Sequence, residues 1–113
     1  MREKSSDQLL PGTLDMMILR TLIRTSIHGY DIAESIQQIS EEVLQVDEGA
    51  LYQALHRMEL RGLLDSEWGL SENNRRAKFY RLTRAGKKQV DRAAREWEQT
   101  TEILARFLTP DEA

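Results

Sequence analysis

The sequence predicts a mainly α-helical fold with one small β-hairpin and a long C-terminal helix. Three observations lead there. Apolar residues recur at +3 and +4 in three successive short segments between residues 13 and 60. Residues 77–82, Ala-Lys-Phe-Tyr-Arg-Leu, alternate in the aromatic-bearing manner of a strand, opposite an apolar stretch at 63–68. A heptad-spaced apolar stripe then runs from Val90 to Leu108.

Taken in order, Thr13 is placed to cap a first helix ending near Ser26. Asp15 sits in its first turn, where the helix dipole favours an acid, and Leu14, Met17, Ile18, Thr21 and Leu22 share one face. His28 is read as a turn residue and Gly29 as a break. A short second helix follows on Ile32, Ile36 and Ile39 and ends at the polar Ser40-Glu41-Glu42. Val43, Leu44 and Val46 form a minimal strand. Asp47 is placed to cap a third helix, in which Leu51, Leu55 and Met58 form the buried stripe and Tyr52, Gln53, His56, Arg57 and Leu60 face outward. Gly62 stops it. The predicted hairpin pairs 63–68 with 77–82 around a polar loop at 69–76 that contains Asn74, Arg75 and Arg76. Three short helices followed by such a hairpin have the layout of a winged helix-turn-helix.

The last helix, about Thr83 to Leu108, spans roughly 39 Å at 1.5 Å per residue, more than a core built by the preceding residues needs. Val90, Ala94, Trp97, Thr101, Leu104 and Leu108 fall on its stripe, widened by Ile103 and Phe107, and no other helix is left to bury them. An unpaired stripe of that length marks an interface, so a homodimer is expected through this helix. The expected division is a polar tail at 1–8, the winged domain at 9–83, the dimerisation helix at 84–108 and a tail at 109–113.

Net charge is −3 over 113 residues, which taken as a mean disfavours a nucleic-acid partner. Its distribution reverses the inference. Between Arg75 and Arg95 there are nine basic residues against one acid, Asp91, so this segment carries +8 and the remainder −11. An acidic body with one strongly basic segment suits docking to phosphates, the alternative being a solvated helix face.

Catalysis finds no support. The chain has no cysteine, its two histidines, His28 and His56, sit in different elements, and no Gly-rich phosphate loop is present. Neither an enzyme, a cofactor nor a metal is expected. The polar N-terminus and the lack of a long apolar run predict neither a secretion signal nor a membrane span, which fits a cytoplasmic protein. Trp68 reads as strand packing. Trp97, at the centre of the stripe beside the small Ala93, Ala94 and Thr101, reads either as dimer packing or as one wall of a crevice for a planar aromatic effector.

Four segments in order resemble the PadR family of transcriptional regulators, and specifically its short members of the acidobacterial type. They are Leu10-Pro11-Gly12-Thr13-Leu14-Asp15, His28-Gly29-Tyr30, Gly49 to Glu59, and Glu72 to Thr83. The resemblance implies a DNA-binding regulator whose third helix enters the major groove, with Tyr52 near the phosphate backbone and the Arg75–Lys78 wing at the adjacent minor groove. Side-chain chemistry agrees with each role: a phenol can donate to phosphate, Gln53 can pair with adenine, Arg57 with guanine, and closely spaced arginines suit a narrow minor groove. His56 reads as a DNA-facing or surface residue. Many relatives carry Ser or Thr in place of Ala50 and Pro in place of Gln53. A protein-binding module of the same fold would instead show an apolar outer face on helix three, where Leu60 is the one aliphatic residue.

Overall fold

The computed structural model describes residues 4–5, 12–23 and 26–110, in the order β1 (Lys4–Ser5), α1 (Thr13–Thr21), β2 (Ile27–His28), α2 (Gly29–Ile39), β3 (Leu44–Gln45), α3 (Glu48–Leu60), β4 (Leu64–Leu70), β5 (Arg76–Leu82) and α4 (Arg84–Leu108). The Leu10-Pro11 opening of the first motif, residues 1–3 and 6–8 of the expected tail, and residues 111–113 lie outside the described residues. A three-stranded antiparallel sheet runs in the order β2-β5-β4. Its long pairing, β4 with β5, sets Leu64 opposite Leu82 and Leu70 opposite Arg76. Lys4–Ser5, expected in a free tail, instead pairs in parallel with Leu44–Gln45.

The helices are set by their ends as much as by their faces. Asp47 caps α3 as its position predicts, its Oδ2 accepting from Ala50 N–H at 2.8 Å. The exit of α3 is a Schellman turn: Gly62, at φ +78°, donates to Glu59 O, and Leu63 donates to Met58 O. Helix α2 ends in the same pair of bonds, Glu41 N–H to Gln38 O and Glu42 N–H to Gln37 O, but without a glycine. Glu41 and Glu42 both take positive φ there, a strained choice that sequence spacing did not announce.

Three local expectations change. Thr13 is the first residue of α1 rather than its cap; Gly12 occupies the cap position at φ +87°, and the helix stops at Thr21 rather than near Ser26. Gly29 does not break the chain but opens α2, whose cap is His28, with Nδ1 accepting from Asp31 N–H at 3.4 Å. The strands extend to Leu70 and back from Arg76, so the expected eight-residue loop contracts to Ser71–Arg75, closed by Ser71 N–H to Arg75 O at 2.8 Å.

The core joins all layers. Ile18, Leu19 and Leu22 of α1 meet Ile32 and Ile36 of α2, Leu51, Leu55 and Met58 of α3, and Leu64, Tyr80 and Leu82 of the sheet. Ile39, predicted on the buried face of α2, is exposed. Val90 is also in this core, 1% exposed, so it cannot belong to a subunit interface as its heptad position suggested. The expectation that no helix remains to cover α4 fails over its first half, because α1 packs against it. Thr83 anchors α4: its hydroxyl donates to Gly62 O at 2.6 Å and accepts from Gly86 N–H at 3.0 Å, tying the helix to the exit of α3. Beyond Trp97 every described residue of α4 is exposed.

Candidate nucleic-acid interface

The hairpin β4–β5 stands beside the N-terminal ends of α2 and α3, and between them lies a groove of about 860 Å³. Its walls carry His28, Gly29, Tyr30 and Tyr52 on the helical side, and Trp68, Arg75, Arg76 and Lys78 on the wing. Tyr52 and Tyr30 are exposed. The lining also includes Asp31, Glu34 and Glu72, so it is the wing side, with Arg75, Arg76 and Lys78, together with the Tyr30 and Tyr52 hydroxyls, that suits a sugar-phosphate strand.

Of the eight residues expected to meet DNA, Tyr52, Arg75, Arg76 and Lys78 converge on this groove. Gln53, His56 and Arg57 lie along the exposed outer face of α3, and Asn74 sits at the wing tip at φ +60°. Two of the cations already have partners. Arg57 Nη2 bonds Asp15 Oδ1 at 2.7 Å, linking α3 to α1 across 42 residues of chain, so a guanine contact by Arg57 requires that bond to open. Lys78 Nζ reaches Glu59 Oε1 at 3.4 Å and stands 5.6 Å from the Tyr80 ring centre.

Glu59 is the hub between α3 and the wing. Its Oε2 also accepts from Ser66 Oγ at 2.6 Å, so one α3 carboxylate grips both strands of the wing. The Ser66 hydrogen bond, followed by the Lys78 contacts, holds its pKa below the usual glutamate value despite some burial. Burial pushes the neighbouring Tyr80 phenol upward, with the Glu59 charge adding to the effect.

Trp68 is not strand packing. It is 58% exposed on the wing, with the Arg76 guanidinium 4.5 Å from its ring centre. In the strand register Trp68 faces Lys78, which makes Arg76 its diagonal neighbour. An eight-residue loop at 69–76 leaves Arg76 outside the ladder; the longer strands bring it into this pairing. Tyr30 and Gly29 were likewise missed as groove residues, because nothing along the chain brings α2 to the wing.

The rest of the basic segment points elsewhere. Arg81 is shared between Asp65 at 3.9 Å and Glu67 at 4.0 Å, while Arg84, Lys87, Lys88, Arg92 and Arg95 are exposed along α4 and absent from the groove lining. Among the described residues no group of acids and histidines could hold a metal ion, and no helix is long and apolar enough to cross a membrane.

The first half of α4 presents a different feature. Trp97, half-buried, lines a cavity of about 470 Å³ together with Asp15, Met16 and Leu19 of α1 and Ala93 of its own helix.

Comparison with known proteins gives concordant results. The sequence profile described as the transcriptional regulator PadR-like family matches residues 18–92. A transcriptional regulator from Clostridium thermocellum is 33% identical, with 87% of this chain and 92% of that one covered and a TM-score of 0.79. A PadR family transcription regulator from Clostridium difficile is 32% identical over 87% of this chain and all of that one, at a TM-score of 0.76. A PadR family regulator from Eggerthella lenta is 27% identical over 88% and 85% of the two chains, at 0.73.

Proposed function

Because the chain belongs to the PadR-like family of transcriptional regulators, DNA-binding proteins rather than enzymes, we propose that it is a sequence-specific repressor that binds an inverted-repeat operator as a homodimer. The observation that carries the reading is the groove in which Tyr52 faces Arg75, Arg76 and Lys78, flanked by the exposed face of α3. In this reading α3 lies in the major groove with Gln53 and His56 toward the base edges, Arg57 joining them once released by Asp15. The wing, with Asn74 at its tip, follows the adjacent backbone or minor groove, and Trp68 holds the Arg76 fork in a fixed plane. The half-sites then stand about one helical turn, ~34 Å, or a multiple apart.

Replacing Arg75 and Arg76 together by alanine is expected to weaken binding to all sequences and to reduce the salt slope by up to about two phosphate contacts. Gln53→Ala is expected instead to relax preference at particular base pairs. Titrating an operator selected from random duplexes, and its scrambled counterpart, across salt concentrations reads both effects. Equal affinity of the wild type for the two duplexes would sink specificity.

The second half of α4 supports the dimer: Thr101, Leu104 and Leu108 on the stripe, with Ile103 and Phe107, are all exposed in the protomer. Ala94 and Trp97 are half-buried on the same stripe and mark where the covered half ends. The cavity at Trp97 supports an effector site for a planar aromatic molecule, stacked on the indole and held mainly by desolvation. A panel of planar dyes is expected to quench wild-type tryptophan fluorescence, and the quenching is expected to disappear in Trp97→Phe while surviving in Trp68→Phe. The reverse pattern would leave Trp97 as packing alone.

A further inference from the structure

Gly29 opens α2 with a φ that any residue can adopt, so the glycine is not there for the backbone. It is there for space. A Cβ at position 29 would lie 2.6 Å from Tyr52 Cε1, 2.7 Å from its Oη and 2.9 Å from its Cζ. The Tyr52 phenol therefore rests edge-on against the bare α-carbon of α2, while 46% of the residue stays open toward the groove. Every atom in the conflict is the far end of one side chain, and the open side of the ring gives it a way out.

From this contact we propose that Gly29 is a positioning residue for DNA binding: its missing side chain is the seat that fixes the Tyr52 hydroxyl between α2 and the cations of the wing. The inference rests on the reading of Tyr52 as a backbone contact and adds the residue that sets its aim. A methyl group at position 29 leaves the fold intact and swings the phenol outward, away from where Arg76 and Lys78 meet the same strand. Helix propensity alone gives the opposite forecast, since alanine is a better helical residue than glycine. Gly29 and Tyr52 are 23 positions apart, and no periodicity of the chain connects them.

The test is a double-mutant cycle in the full chain with Gly29→Ala, Tyr52→Ala and the pair, read by affinity for an arbitrary duplex of about 30 base pairs at low salt, where phosphate contacts dominate. Gly29→Ala is expected to bind about tenfold more weakly, the scale of one hydrogen bond to a charged group. Tyr52→Ala should lose as much, and the double variant no more than Tyr52→Ala, because the methyl then has no ring to displace. Melting temperature in Gly29→Ala should match or exceed the wild type. Labelling with 3-fluorotyrosine supplies a second readout: the Tyr52 resonance, assigned by its loss in Tyr52→Phe, should move in Gly29→Ala while that of Tyr80 stays. Wild-type affinity in Gly29→Ala, additive losses in the double variant, an earlier melt, or an unmoved Tyr52 resonance each overturns the seat. Absence of duplex binding by the wild type is a separate result, and it removes the DNA reading together with this one.

Discussion

Leu104→Asp is expected to leave the protein monomeric. Helix α4 is 25 residues long, about 38 Å at 1.5 Å per residue. Its first half is held by Thr83, Gly86 and Val90 against the domain, and every described residue of its second half beyond Trp97 is exposed. A helical extension of this length is marginal in water without tertiary packing. Leu104 is 47% exposed and Phe107 81% exposed, a concentration of apolar surface at the helix end that a second copy would cover. A carboxylate placed there must be desolvated on association, at a cost of several kcal/mol, and each 1.4 kcal/mol is a tenfold loss in affinity. Sedimentation or light scattering at micromolar concentration should give a dimer for the wild type and a monomer for the variant. Because the buried core lies wholly before Glu98, the variant should keep its helical circular-dichroism signal over the winged domain. A wild type that is a stable monomer at that concentration would refute the dimer.

Gly86→Ala is expected to cost about 3 kcal/mol, at the upper end of overpacking effects in well-packed interiors. At position 86 α4 packs directly against Leu63 and Leu82, at the base of the wing. A Cβ there would overlap the carbonyl oxygen of Leu63 and lie 3.2 Å from Leu82 Cδ2. Unlike the ring that faces Gly29, the carbonyl is backbone, fixed from both sides by the Schellman turn before it and the strand after it. Leu63 O also accepts the Thr83 N–H at 3.0 Å, so moving it costs a hydrogen bond as well. Relief comes only by lifting α4 off the sheet, which uncovers Val90. For a chain of this size the loss corresponds to a drop in melting temperature of roughly 10 °C or more. The sign decides the matter, since an unobstructed glycine-to-alanine change inside a helix stabilises by up to about 1 kcal/mol. A thermal melt at or above wild type would show that the contact yields.

Gly29 and Gly86 are both set by contacts with residues distant along the chain, Tyr52 and Leu63. The order of the four helices and the hairpin, the Asp47 cap, the Gly62 exit and the Leu51, Leu55, Met58 stripe were legible, whereas the short strands β1 and β2 were not. Each depends on residues within about one helical turn, where periodicity and capping chemistry operate. The wing was legible in kind but not in length, because turn-prone Gly69 is compatible with a strand edge once a long pairing partner exists. Heptad spacing identified the α4 stripe, yet spacing cannot distinguish a residue buried by its own domain from one buried by a partner. Val90 satisfies the same pattern as Leu104 and ends up in the protomer's core.

Local spacing and composition were thus enough for the winged architecture and the basic segment, and four short motifs for the family resemblance that implies Tyr52, Arg75, Arg76 and Lys78 as a candidate set. The state of those side chains was settled through space instead. Arg57 is tied to Asp15, Lys78 to Glu59, Arg76 to Trp68, and Tyr52 to the bare carbon of Gly29. An ion pair or a van der Waals seat has a range of a few ångströms and no dependence on distance along the chain. Residues 42 positions apart, as Asp15 and Arg57 are, become partners only after helices have packed, and the sequence carries no periodic signal of that packing.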